Sequence, residues 1–72
     1  MVILYGTSAC HLCEEAEALL LDLGAAYRKV DISETDELFQ RYGVRIPVVQ
    51  RADGEELGWP FDAVRLAWFV GR

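Results

Sequence analysis

Met1-Val2-Ile3-Leu4-Tyr5-Gly6-Thr7-Ser8-Ala9-Cys10-His11-Leu12-Cys13-Glu14-Glu15-Ala16 is the stretch whose reading decides the fold. Met1 to Tyr5 is an apolar run closed by Gly6, the pattern of a short buried strand. The periodicity then changes. Leu12, Ala16, Leu19, Leu20 and Leu23 recur at i, i+4, i+7, i+8 and i+11, which is one face of a helix. Glu14, Glu15, Glu17 and Asp22 fall mostly on the other side, and Gly24 supplies a stop. Cys10 and Cys13, the only two cysteines, stand where the strand hands over to the helix. Residues i and i+3 on a helical turn lie about 5–6 Å apart, within the roughly 4.4–6.8 Å that a disulfide tolerates between Cα atoms. The pair can open and close with little backbone movement, which is the geometry of a reversible dithiol.

Working outward, Ala26 to Ile32 reads as a second strand with Val30 and Ile32 on one face. Joined to the first strand through the helix, it makes a parallel βαβ unit. Ser33 is expected as the N-cap of a second helix, with Asp36 or Glu37 in its first turn. Leu38, Phe39 and Tyr42 would supply that helix's apolar contacts, and Gly43 would end it. Pro47-Val48-Val49-Gln50 reads as a strand opening at a proline, where the missing N–H is tolerated. Ala52-Asp53-Gly54-Glu55 is a hairpin turn, because Asp-Gly suits positive φ. An antiparallel fourth strand should span about Glu55 to Trp59. Pro60 fits the first turn of a last helix, with Phe61, Val64, Ala67 and Trp68 facing inward. The order βαβαββα describes an α/β fold around a four-stranded mixed sheet.

At 72 residues the chain has room for a single domain, 1–72, burying about 60% of the surface its unfolded form exposes. No apolar run approaches the ~18–20 residues needed to cross a bilayer, and no stretch has the layout of a secretory signal. Two cysteines are too few for a disulfide scaffold. The expectation is a cytosolic monomer whose cysteines work rather than staple. The net charge of −5 is concentrated in residues 1–36, where seven acids face two bases, whereas residues 37–72 hold five of each. An acidic chain without a basic stripe argues against nucleic acid, whose binding is dominated by phosphate neutralisation, and against anionic membrane surfaces.

A thiol attacks only as its thiolate, and a free cysteine with pKa about 8.5 is mostly protonated at neutral pH. Cys10, at the start of a helix, meets unpaired N–H groups and the positive end of the macrodipole. His11 adds to this if its imidazole is protonated or donates to the sulfur. Glu14 and Glu15 oppose it through high-dielectric solvent, where charges interact weakly. The Cys10 pKa is therefore expected to be depressed. Cys13, one turn further in, should be more buried and less ionised. Cys10 then attacks and Cys13 resolves, leaving a Cys10–Cys13 disulfide. Two other readings of the pair stay open: buried core cysteines at helical spacing, and a zinc site. Zinc needs four ligands, and two Cys, one His and scattered carboxylates do not supply an evident set, so no metal is expected.

Tyr5 through Cys13 resembles the active-site stretch of glutaredoxins, in which a strand ending in an aromatic residue leads into C-P-Y-C. Tyr42-Gly43-Val44-Arg45-Ile46-Pro47-Val48-Val49 resembles the segment of thioredoxins and glutaredoxins that ends at a cis-proline beside the active site. Over nearly the whole chain the order of elements is similar to the small bacterial glutaredoxin-like family. The resemblance implies a thioredoxin-like fold, thiol–disulfide exchange, and a cis Ile46–Pro47 bond facing Cys10. That bond would expose the Ile46 backbone for pairing with a bound peptide or glutathione. The candidate substrate-binding residues around the pair are His11, Arg45, Ile46, Pro47, Trp59 and Asp62.

The departures are specific. His11-Leu12 stands where the family has Pro-Tyr, and no basic residue precedes the motif among Gly6, Thr7, Ser8 and Ala9. Gly58, Trp59 and Asp62 echo only part of the glycine pair and acid that hold the γ-glutamyl end of glutathione. Arg45 stands in place of a threonine, either holding an anionic partner or simply solvated. Trp59 is weighed as packing against ligand contact.

The expected function is thus a dithiol oxidoreductase acting on protein or low-molecular-weight disulfides. It would have no tightly bound cofactor, glutathione as a candidate co-substrate, and glutathione or thioredoxin reductase as electron source. The rivals are a thioredoxin-fold binding or redox-sensing module with little catalysis, and a dimer bridging an iron–sulfur cluster through Cys10 and glutathione.

Overall fold

The computed structural model describes residues 1–71. Its elements run β1 (Val2–Gly6), α1 (His11–Asp22), β2 (Tyr27–Asp31), a 3₁₀ turn (Ile32–Glu34), α2 (Asp36–Tyr42), β3 (Val48–Gln50), β4 (Glu56–Gly58) and α3 (Ala63–Val70). The sheet order is β2-β1-β3-β4. β1 pairs parallel with β2, Val2 opposite Tyr27 through Gly6 opposite Asp31. It pairs antiparallel with β3, Ile3 opposite Gln50 and Tyr5 opposite Val48, and β3 continues antiparallel into β4. This is a thioredoxin-like α/β fold.

Alternation along β1 divides the interior. Val2 and Leu4 point to the face covered by α1 and α3, where they join Ala16, Leu20, Val49, Leu57, Phe61, Leu66 and Phe69. Tyr5 points the other way, onto Ile32, Tyr42 and Val48 beneath α2, with Leu38 and Ile46 at the margin. The period of two along a strand is what allows one short sheet to serve both layers. The Asp53-Gly54 turn forms as the sequence suggests: Gly54 adopts φ +93°, and the N–H groups of Gly54 and Arg51 bond across the turn at 2.9 Å each. α1 closes in a Schellman motif, with Gly24 at φ +69°. There Ala25 N–H donates to the Leu20 carbonyl and Gly24 N–H to that of Leu21, satisfying carbonyls the helix leaves open.

Several expectations need correction, and caps explain most of them. α2 is capped by Thr35, whose side-chain oxygen accepts the Leu38 N–H at 3.1 Å, and not by Ser33. Ser33 is taken up in the preceding 3₁₀ turn, which Asp31 caps. β2 therefore stops at Asp31, and Ile32 reaches the core from the turn. Phe39, expected inside, is exposed. α3 starts after Asp62, whose carboxylate accepts the Arg65 N–H at 2.8 Å, so Pro60 lies outside its first turn. That start rotates the helix: Leu66 and Phe69 face the core while Val64 and Trp68 face outward. On α1 the inward stripe is Cys13, Ala16 and Leu20, leaving Leu12 and Leu23 exposed. Among the described residues no helix is long and apolar enough to cross a membrane.

Candidate active site

The end of β1 and the start of α1 build the site. Gly6 closes the strand, Ser8 and Ala9 turn the chain, and Ala9 adopts φ +58°, a left-handed conformation that costs an L-residue roughly 1–2 kcal/mol. This delivers Cys10 as the N-cap of α1, in extended conformation, with its Sγ accepting the Cys13 N–H at 3.2 Å. The Cys10 carbonyl accepts the Glu14 N–H at 3.1 Å. Cys10 and Cys13 are joined in a disulfide with Cα atoms 5.2 Å apart. Cys10 is half-buried and Cys13 is buried.

Gly6 lies in close contact with the second cysteine. A Cβ there would lie 3.0 Å from Cys13 Sγ and 3.2 Å from its Cβ, so the second sulfur packs directly on the glycine backbone.

The residues expected around the pair separate into groups. His11 opens α1 and is exposed, its Nε2 lying 3.1 Å from Glu15 Oε2, one turn along the helix. Pro47 is buried and, by continuing the β1–β3 register, sits opposite Gly6 at the same end of the sheet as the cysteines. The Ile46–Pro47 bond is cis, as is Trp59–Pro60. Ile46 N–H donates to the Tyr42 carbonyl, and Trp59 N–H donates to the Pro47 carbonyl, both at 3.1 Å. Trp59 packs against the main core and meets Phe61 edge-on. Asp62 serves α3 as its cap.

Arg45 is engaged within the chain. Its guanidinium pairs with Glu56 at 2.9 Å and lies over the Tyr42 ring. Glu56 is a hub that sequence reasoning missed. It also accepts the Tyr42 hydroxyl at 2.6 Å and the Gln50 amide at 3.4 Å, while Tyr42 stacks on Tyr5 and Tyr5 donates to Gln50. The Tyr42 bond, then that of Arg45, holds the Glu56 carboxyl below its ordinary range. Burial first, and Glu56 second, push the Tyr42 phenol up. The signal in the sequence was the Asp53-Gly54 hairpin, which sets Glu56 opposite Gln50.

On the other side of the motif, α1 and β2 enclose a groove of about 220 Å³ that includes Gly6 and Cys13 in its lining but not Cys10. Glu14, Glu17, Lys29 and Asp31 line it as well. Glu17 accepts the Tyr27 hydroxyl at 2.6 Å and pairs with Lys29 at 3.2 Å. The Tyr27 bond, with help from Lys29, keeps Glu17 below the usual carboxylate range. Hydrogen bonds from Ser33 first, and also from Thr7, do the same for Asp31.

A βαβαββα core with a C-x-x-C pair opening its first helix defines a thioredoxin-like redox domain. The chain belongs to the glutaredoxin-like domain family (DUF836), whose model matches residues 1–70. It is similar to the Northeast Structural Genomics target protein XcR50 from X. campestris. The X-ray structure of that target is 39% identical, with TM-score 0.93, covering 99% of this chain and 96% of that one. Its solution structure gives 38% identity and TM-score 0.88 over 97% and 91%. Protein Ne2328 from Nitrosomonas europaea is 27% identical, with TM-score 0.78 over 94% and 87%. No curated protein matches the chain.

Proposed function

We propose that the protein is a thiol–disulfide oxidoreductase in which Cys10 is the attacking thiol and Cys13 the resolving thiol. The supporting observation is the Cys13 amide aimed at Cys10 Sγ at 3.2 Å, with Cys10 the more exposed of the two residues. In the disulfide that sulfur is neutral. Once reduced it is the atom that carries the charge, and an N–H at a helix start stabilises the anion.

The Cys10 thiolate attacks one sulfur of a partner disulfide, forms a mixed disulfide and expels one partner thiolate. Cys13 gives up its proton and attacks Cys10 Sγ, and the second partner thiolate leaves. Two electrons pass from the dithiol to the partner, and the Cys10–Cys13 disulfide remains. The helix that stabilises Cys10 as an anion also makes it the better leaving group when the cycle runs backwards.

Pro47 and Ile46 form the wall for an extended partner. With the Ile46 N–H given to Tyr42, we assign the Ile46 carbonyl to pairing with that partner, and His11 and Trp59 to its rim. Arg45 and Asp62 are spent on Glu56 and on the cap of α3. Protein and low-molecular-weight disulfides are therefore the substrates we favour, with glutathione or thioredoxin reductase as electron donor. The same internal use of Arg45 and Asp62 favours, as second reading, a binding or redox-sensing module.

The test is reduction of insulin or a mixed disulfide with each electron donor in turn, alongside Cys13→Ser. The wild type should turn over, and the variant should accumulate a mixed disulfide on Cys10. No turnover with either donor would leave the module reading standing alone.

A further inference from the structure

We propose that Glu56 is a positioning residue for the exchange site: through Tyr42 and Arg45 it fixes the 43–46 loop that delivers Ile46 and Pro47 as the wall for an extended disulfide partner. The inference rests on the exchange reading of the Cys10–Cys13 pair. It adds the group that favours partners with a polypeptide chain over small disulfides.

The loop has little of its own to hold it. Between Tyr42 and Pro47 stand Gly43, Val44, Arg45 and Ile46, and Arg45 carries the only polar side chain of the four. Val44 is fully exposed, and Ile46 reaches only the margin of the smaller core. The backbone closes on the Tyr42 carbonyl, which accepts the Arg45 N–H at 2.8 Å and the Ile46 N–H at 3.1 Å. Where Tyr42 stands therefore decides where Ile46 stands.

Glu56 reaches the loop at both of these residues. Its Oε2 accepts the Tyr42 hydroxyl at 2.6 Å, and its Oε1 accepts Arg45 Nη2 at 2.9 Å. The sheet sets the place of Glu56 itself, opposite Gln50 of β3, whose amide it accepts at 3.4 Å. Just beyond β4, the Trp59 N–H holds the Pro47 carbonyl at 3.1 Å. One edge of the sheet thus grips the loop at its root, its arm and its end. A partner that pairs with Ile46 meets a wall already ordered, and ordering a loop at the moment of binding is a cost subtracted from affinity.

A glutamine cannot make the same clamp. It has one oxygen and one NH₂, whereas Tyr42, Arg45 and Gln50 all present donors to the two carboxylate oxygens. Glu56→Gln keeps the size and shape of the side chain but turns a donor onto at least one of those partners.

The experiment mixes the reduced protein with either of two disulfides and follows the loss of its thiols by alkylation. One is the symmetrical disulfide of a short neutral peptide with a single cysteine; the other is 2-hydroxyethyl disulfide, which has no chain to lay on the wall. Glu56→Gln should reduce the peptide disulfide roughly twofold to fivefold more slowly than wild type, the scale of a half-exposed ion pair. It should reduce 2-hydroxyethyl disulfide at the wild-type rate. Loss of folded protein or a changed Cys10 thiolate would instead slow both alike. Arg45→Gln should also slow the peptide reaction, and the double variant should be no slower than Glu56→Gln alone, because both changes open one clamp. Equal slowing of the two disulfides, no slowing of the peptide, or additive slowing in the double variant would overturn the inference while leaving dithiol exchange intact. A wild-type protein that reduces neither disulfide would defeat the exchange reading and the inference together.

Discussion

Replacing Tyr42 with Phe removes one oxygen and leaves the ring stacked on Tyr5. The lost hydroxyl donates to Glu56 at 2.6 Å, a charge-assisted bond in a partly buried setting. Bonds to charged groups contribute about 1.5–3 kcal/mol. Arg45 still pairs with Glu56 at 2.9 Å, so the carboxylate is not left without a partner, and we place the cost near the lower half, about 2 kcal/mol. In a domain of this size that lowers Tm by roughly 8–16 °C.

The pH dependence identifies the cause. Glu56 is held below its ordinary pKa of 4.5, first by Tyr42. A carboxyl depressed in the folded state adds stability that is present above its unfolded pKa and is lost as pH falls through the folded one. The gap between wild type and Tyr42→Phe should therefore be full at pH about 7 and shrink toward a neutral bond's ~1 kcal/mol well below pH 4. Because burial leads the Tyr42 shift, the worth of the bond is read from the Glu56 side. Urea unfolding at both pH values measures it. A gap that does not change with pH, or one below about 0.5 kcal/mol at neutrality, would refute the reasoning.

The orientation of α3 can be read by truncation. Leu66→Ala should cost about 2–5 kcal/mol, a large share of the roughly 4–11 kcal/mol a chain of this length holds. Val64→Ala on the exposed side should stay within about 0.5 kcal/mol. Equal costs in denaturant unfolding would mean the helix is rotated. Ala9→Gly should relieve the left-handed conformation and stabilise the fold by about 0.5–1 kcal/mol after the entropy of the freer unfolded chain is counted. A lowered Tm in a thermal scan would contradict that.

The first βαβ unit and the hairpin were legible because each rests on a local pattern: an apolar run ending at Gly6, a helical stripe stopped by Gly24, an Asp-Gly pair at the turn. The errors arose where two residues competed for one role. Thr35 took the cap that Ser33 suggested, and Asp62 took the start that Pro60 suggested, shifting the phase of α3 and with it the positions of Val64 and Trp68. At the site, the spacing of Cys10 and Cys13 at a strand-to-helix junction showed that the two could be bridged. The Glu56 hub did not, because its three donors come from α2, β3 and the loop before β3. Nor did the groove, which exists only once α1 is laid over β1 and β2. Ala9 could not be read either: its conformation is imposed by the strand and helix it joins.

The central claim is that the amide at the start of α1 makes Cys10 the anionic sulfur. It is tested most directly by titrating reduced Cys13→Ser and following thiolate absorbance, so that only Cys10 reports. The account predicts an apparent pKa clearly below the ~8.5 of a free cysteine. A value at or above that figure would contradict it.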